Sequence, residues 1–170
     1  MNNFIYHVND LDYSKKYLIK EADELEFKPF ELPTKHNSFW DHVPTWLQGW
    51  VGDAAVDEVN RIKDVIAERT GSKEIRPRYY RQEANTSLPM HSDNGTKCCI
   101  NILLSGEYAP IVFEDGFTQT SFHYECAILN IQRRHSVPAF PEERFLLKYS
   151  IFDIDFDEAV SGWINQGAMN

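Results

Sequence analysis

Residues 97–131 read KCCINILLSGEYAPIVFEDGFTQTSFHYECAILNI, and the texture of this stretch decides the fold class. Apolar or alternating runs at Lys97–Leu104, Pro110–Phe113, Phe117–Phe122 and Ala127–Ile131 follow one another, with turn residues at Ser105-Gly106 and Asp115-Gly116. Short runs rich in β-branched and aromatic residues, punctuated in this way, predict strands of a β-sandwich or barrel. The pattern extends outward to Ile75–Arg81 and Arg144–Phe152, with further turn signals at Asn94-Gly95 and Pro138. Strands crossing between two sheets would give a jelly roll with one open mouth.

Upstream, Ala55, Val56, Val59, Ile62, Val65 and Ile66 fall at helical spacing between a candidate N-cap, Asp53, and a candidate stop, Gly71. This predicts one amphipathic helix packed against a sheet. Residues 1–50 are mixed, with short apolar pieces at Phe4-Ile5-Tyr6 and Tyr17-Leu18-Ile19 and an aromatic cluster of Phe39, Trp40, Trp46 and Trp50. A short helix is expected around Phe156–Trp163. The organisation expected is one domain over residues 1–170, mainly β (α+β): 1–72 as mixed, helical support, 73–152 as the core and 153–170 as a tail.

Composition narrows the function classes. At 170 residues, 42% hydrophobic and 25% charged, the chain can bury a substantial core and has ordinary globular texture. Aromatics reach 14%, which suits a β-rich core. A formal net charge of -9 argues against nucleic acid or an anionic membrane surface as partner. No apolar run approaches the roughly 20 residues needed to span a bilayer. The odd number of cysteines, Cys98, Cys99 and Cys126, makes a poor disulfide framework and fits a reducing, cytoplasmic setting. Adjacent Cys98 and Cys99 point to opposite faces of any strand, so buried small hydrophobes are expected there. Nothing in the composition addresses oligomeric state.

The chemistry concentrates at His91-Ser92-Asp93. In an extended segment residues i and i+2 point to one side, so both side chains can reach one ion. His135 follows 44 residues later. Two imidazoles and a carboxylate on one face of a metal, with the other face open, form the facial triad of Fe(II) oxygenases. Nine residues beyond His135, Arg144 heads the strand Arg144–Phe152. An arginine pointing into a barrel needs an anion, and its planar fork suits a carboxylate.

From about Arg78 to Phe152 the chain resembles the 2-oxoglutarate/Fe(II) oxygenase superfamily, and within it the prolyl-hydroxylase-like branch. The residues that carry the resemblance are His91-x-Asp93, His135 and Arg144, with Asn101–Gly106 similar to the strand and turn that follow the triplet in many members. The resemblance implies a double-stranded β-helix, a cupin-like jelly roll, braced on one sheet by N-terminal helices. It implies Fe(II) held by His91, Asp93 and His135, 2-oxoglutarate as co-substrate with Arg144 at its distal carboxylate, and O2 as oxidant. Succinate, CO2 and a hydroxylated product would result, the substrate being a small molecule or an amino-acid side chain, free or in a peptide or protein. Family members place a co-substrate tyrosine on the preceding strand, which nominates Tyr80 ahead of Tyr79. Asn101 is a further candidate for a polar contact to the co-substrate. Where many members carry a serine two residues after the arginine, this chain has Leu146; Lys148 and Ser150 share the Arg144 face and either could be the carboxylate partner instead, Lys148 being more simply read as a charge at the rim.

Two rival readings stand beside this one. One is a cupin-type metalloprotein that uses the ion without 2-oxoglutarate. The other is a binding domain on the same fold that lacks turnover. His7, His36, His42 and His123 have no partner at ligand spacing. Glu114-Asp115 reads as turn chemistry and Arg133-Arg134 as exposed strand-edge charge.

Overall fold

A computed structural model of the chain describes residues 2–29, 46–50 through their backbone, 57–105 and 109–169. The described elements run β1 (Ile5–His7), α1 (Lys15–Asp23), β2 (Phe27–Pro29), β3 (Trp46–Trp50), α2 (Asp57–Thr70), β4 (Ile75–Gln82), β5 (Leu88–His91) and β6 (Cys98–Ser105). They continue with β7 (Ile111–Asp115), β8 (Thr118–Phe122), β9 (Cys126–Leu129), β10 (His135–Val137), β11 (Arg144–Ile151) and α3 (Phe156–Gly167).

The strands form two antiparallel sheets, one ordered β1-β9-β6-β11-β4-β3-β2 and the other β5-β10-β7-β8. From β4 onward the chain keeps changing sheet: β4, β6, β9 and β11 belong to the larger one, β5, β7, β8 and β10 to the smaller. The protein is therefore mainly β, a two-sheet sandwich with three helices among the described residues.

The larger sheet is apolar on both faces, which is why its central strands read as continuous hydrophobic runs. On β6, Cys98, Ile100, Ile102 and Leu104 pack toward the helices, while Cys99 and Leu103 face the space between the sheets. Strand β11 alternates likewise, with Phe145, Leu147, Tyr149 and Ile151 on the helix side and Leu146 on the inner side. All three cysteines are buried and free, and Cys98 and Cys99 do face opposite ways.

Helix α2 presents Val59, Ile62 and Ile66 to the helix-side core and ends at Gly71, whose φ of +80° suits a residue without Cβ. Asp53, Ala55 and Val56, with Phe39 and Trp40, lie outside the described residues. Helix α1 is a whole helix where only an apolar piece was expected. Ser14 caps it by accepting from the Tyr17 backbone N–H, and Leu18 and Ala22 are buried. Helix α3 runs past Trp163 to Gly167. A capping box, Asp155 with Glu158, starts it, and Phe156, Ala159, Val160 and Trp163 form its buried face. No helix among the described residues is long and apolar enough to cross a membrane.

Candidate active site

The sheet crossings bring the His91 triplet and His135 together. His91 ends β5, His135 begins β10, and the two are direct partners in the antiparallel ladder. Their ring centroids are 4.4 Å apart. Each Nδ1 lies against the backbone carbonyl two residues upstream, His91 against Pro89 at 2.7 Å and His135 against Arg133 at 2.8 Å. A carbonyl only accepts, so each Nδ1 carries the proton and each Nε2 keeps a lone pair.

Both lone pairs converge on one oxygen. Asp93 Oδ1 stands 3.2 Å from His91 Nε2 and 3.4 Å from His135 Nε2. The Asp93 N–H donates to the Ile131 carbonyl at 2.9 Å, which fixes the chain just beyond β5. Donors about 2.1 Å from an ion and at right angles stand about 3 Å apart, so this spacing suits three facial ligands of an octahedral ion. The three side chains form the one group among the described residues whose ligand atoms are close enough to share a metal.

The other carboxylate oxygen has a different partner. Lys148 Nζ lies 3.0 Å from Asp93 Oδ2, and the lysine side chain is 16% exposed. Lys148 is thus not the rim charge expected of it, because its strand runs through the middle of the sheet. Burial alone would raise the Asp93 carboxyl. The Lys148 ammonium, with the two imidazoles beside the carboxylate, outweighs burial and holds it well below the usual carboxylate range. Burial would likewise discharge the lysine, and Asp93 keeps it charged.

A cavity of about 500 Å³ between the sheets takes in the triad and continues to Arg144. Arg144 is 3% exposed; one terminal nitrogen donates to the Tyr124 hydroxyl at 2.9 Å, the other makes a long contact of 3.5 Å to the Pro110 carbonyl, and Nε has no partner. Among the described residues no carboxylate pairs with it. A buried guanidinium left in this way makes a receptor for an anion. The Tyr124 hydroxyl also accepts from Asn101 Nδ2 at 3.0 Å. Both of its lone pairs are then engaged, and its own proton is free to be donated into the cavity.

Of the two candidate tyrosines, Tyr80 lines the cavity, across the ladder from Leu146. Tyr79 faces the other way, into the helix-side core against Phe145. Its hydroxyl is buried without a partner, and burial pushes its ionisation up. Asn101 lines the cavity and is buried, not solvated. Tyr124 is a cavity residue that the sequence did not nominate, and Lys148, a candidate carboxylate partner by its strand face, pairs with Asp93. Tyr124 lies in the irregular link between β8 and β9 and reaches Arg144 only through the fold. Lys148 had a usable signal, since it sits at even spacing from Arg144.

No family model matches the sequence, and no curated protein matches it by sequence. The fold does have solved relatives. A prolyl hydroxylase from Trichoplax adhaerens, in complex with a peptide of the hypoxia inducible factor oxygen degradation domain, superposes with a TM-score of 0.67 at 13% identity, over 94% of this chain and 87% of that one. HygX from Streptomyces hygroscopicus, solved with nickel, 2-oxoglutarate and hygromycin B, gives 0.61 at 10% identity, over 87% and 82%. An oxidoreductase of the 2OG-Fe(II) oxygenase family from Burkholderia pseudomallei gives 0.58 at 15% identity, over 83% and 78%. This chain shares its two-sheet architecture with 2OG-Fe(II) oxygenases.

Proposed function

We propose that the protein is an Fe(II)- and 2-oxoglutarate-dependent dioxygenase that hydroxylates an amino-acid side chain, free or in a protein, or a small metabolite. One observation carries this reading: two imidazole Nε2 atoms and one carboxylate oxygen converge in a cavity that also holds a buried arginine with no carboxylate partner among the described residues. The alternation of β4 to β11 between the sheets supports reading the sandwich as a double-stranded β-helix, with residues 1–170 as a single domain.

His91, Asp93 and His135 would hold the iron, and the donor set fits a divalent ion that leaves one face open. When bound, the metal, 2-oxoglutarate and O2 supply the oxidising chemistry, with succinate and CO2 as by-products. The chain's own residues do the rest. The Pro89 and Arg133 carbonyls fix the imidazole tautomers, and Lys148 fixes the carboxylate. Arg144 would take the distal carboxylate of 2-oxoglutarate, with the Tyr124 hydroxyl as a second donor beside it. Asn101 orients that hydroxyl, and Tyr80 with Leu146 walls the channel between anion and metal. A cupin-type metalloprotein without 2-oxoglutarate would give Arg144 no ligand.

The test is calorimetric binding of 2-oxoglutarate with and without Fe(II) under anaerobic conditions, beside succinate release in air. Binding should require the metal and should fall at least roughly tenfold in Arg144→Ala, since a lost hydrogen-bonded charge contact is worth about 1.5–3 kcal/mol. His91→Ala should abolish succinate release. Metal-independent binding, or release that survives His91→Ala, would sink the reading.

A further inference from the structure

Two buried polar atoms beside the anion receptor lack partners among the described residues, and they are complementary. Arg144 Nε is a donor and Gln82 Oε1 an acceptor; neither makes a hydrogen bond, and both have essentially no accessible surface. Gln82 is 4% exposed and Arg144 3%. The two residues are direct partners across the ladder of β4 and β11. Gln82 follows Tyr80 by two residues and so shares its inward face. With Thr86, Val137 and Phe140 the pair also walls one small void, which none of the triad residues reaches.

The orientation of the Gln82 amide is fixed. Its Nε2 donates to the Thr86 carbonyl at 2.9 Å, and a carbonyl only accepts, so the amide nitrogen faces Thr86 and Oε1 points away from it. That anchor is braced in turn, by the Thr86 hydroxyl on the Glu83 carbonyl and by the Asn85 N–H on the Phe140 carbonyl, both at 2.6 Å. Arg144 is held more loosely. Its contact to the Pro110 carbonyl, at 3.5 Å, is too long to fix it, which leaves the Tyr124 hydroxyl as the firm anchor of the guanidinium. An anion in the cavity meets the terminal nitrogens, because Nε has no surface to offer it. A buried donor and a buried acceptor left unpaired are costly, and neither ligand nor water reaches these two.

We infer that Gln82 is a positioning residue of the co-substrate site: as the terminal nitrogens of Arg144 take a carboxylate, the guanidinium settles and its Nε–H donates to Gln82 Oε1. This bond holds the guanidinium plane from the rear, while Tyr124 holds it at one terminal nitrogen. The fork then meets the carboxylate in one orientation, which a bidentate contact requires. Gln82 touches neither metal nor co-substrate and acts only through Arg144. The inference rests on the oxygenase reading.

The experiment uses the full chain loaded with Zn(II). A crystal structure with 2-oxoglutarate bound should show Arg144 Nε and Gln82 Oε1 about 2.7–3.2 Å apart. Gln82→Met is similar in size but lacks the acceptor. By calorimetry it should raise the Kd of 2-oxoglutarate at least roughly fivefold, the worth of one net hydrogen bond, while the Kd of Zn(II) moves less than about twofold. Arg144→Lys has no Nε–H, so adding Gln82→Met to it should change 2-oxoglutarate binding less than about twofold. A loaded structure in which the two atoms stay beyond about 3.5 Å, or equal losses from Gln82→Met on both backgrounds, would overturn the inference. Should Gln82→Met fail to fold, the loaded wild-type structure decides alone. Failure of the oxygenase reading would look different: 2-oxoglutarate would bind neither wild type nor variant.

Discussion

Each oxygen of the Asp93 carboxylate faces its own kind of partner, Oδ1 the two imidazoles and Oδ2 the Lys148 ammonium. Without an ion, Lys148 is the only full positive charge within reach of that carboxylate among the described residues. Lys148→Met would leave Asp93 nearly buried and unpaired, and breaking such a pair costs roughly 3 kcal/mol. A divalent ion on Oδ1 would compensate most of the lost charge. We therefore expect Lys148→Met to be strongly destabilised in metal-free buffer and largely rescued by Mn(II), with a larger metal-induced rise in Tm than wild type. Equal losses with and without metal, in parallel urea titrations, would separate the ion pair from the metal site. At this scale the sequence was informative wherever a residue type and its spacing already imply a task. His91, Asp93, His135 and Arg144 do so, because few other arrangements make sense of them. Tyr124 does not, since its role depends on a contact with Arg144 and one with Asn101 that only the closed sandwich creates.

Among the elements, the strands that carry the core were legible because burial on both faces leaves a run with little polarity, as in β6 and β11. Several short or marginal elements were not, although the polar, exposed strand β8 was, through the turn at Asp115-Gly116 before it. Strand β10 has three residues and gains its place from pairing with β5 and β7, and β1 likewise depends on β9. Helix α1 buries only Leu18 and Ala22, too little to make its period stand out. Helix α3 hides a different feature, its close approach to α2. A Cβ on Gly162 would meet the Thr70 carbonyl oxygen at 2.8 Å and that of Arg69 at 3.0 Å. Replacing a helical glycine by alanine normally gains about 1 kcal/mol in propensity. Here the obstacle is backbone, which cannot swing aside, and overpacking costs about 1–3 kcal/mol. Gly162→Ala should consequently lower stability by about 1 kcal/mol in urea denaturation; a stabilised variant would mean that the two helices part easily.

Across the whole molecule, the helical layer is tied to the chain's beginning by one small polar cluster. Asp10 accepts from Arg69 at 2.8 Å through one oxygen and from the Trp163 indole N–H at 2.9 Å through the other. Arg69 also donates to the Trp163 carbonyl at 2.8 Å and lies over its ring at 4.2 Å. The segment after β1, the end of α2 and the middle of α3 therefore meet at one carboxylate. The hydrogen bond from Arg69 is the largest influence on that carboxyl and lowers it; burial opposes, and Trp163 adds to the lowering. Its ionisation in the folded protein thus lies below the ordinary 3.8. A carboxyl so depressed contributes stability above its unfolded value and loses it as pH falls through the folded one. Asp10 is 56% exposed, so the contribution is modest, roughly 0.5–1 kcal/mol. Asp10→Asn should be less stable than wild type by that amount at pH 7. The gap should narrow as pH falls below 3.8 and close once pH is below the depressed folded value, where the wild-type carboxyl takes up its proton and loses the same ion pair. Urea midpoints measured from pH 7 down to pH 2.5 would decide it, and a gap that persists unchanged at the acid end would assign the cluster's stability to packing of Arg69 on Trp163.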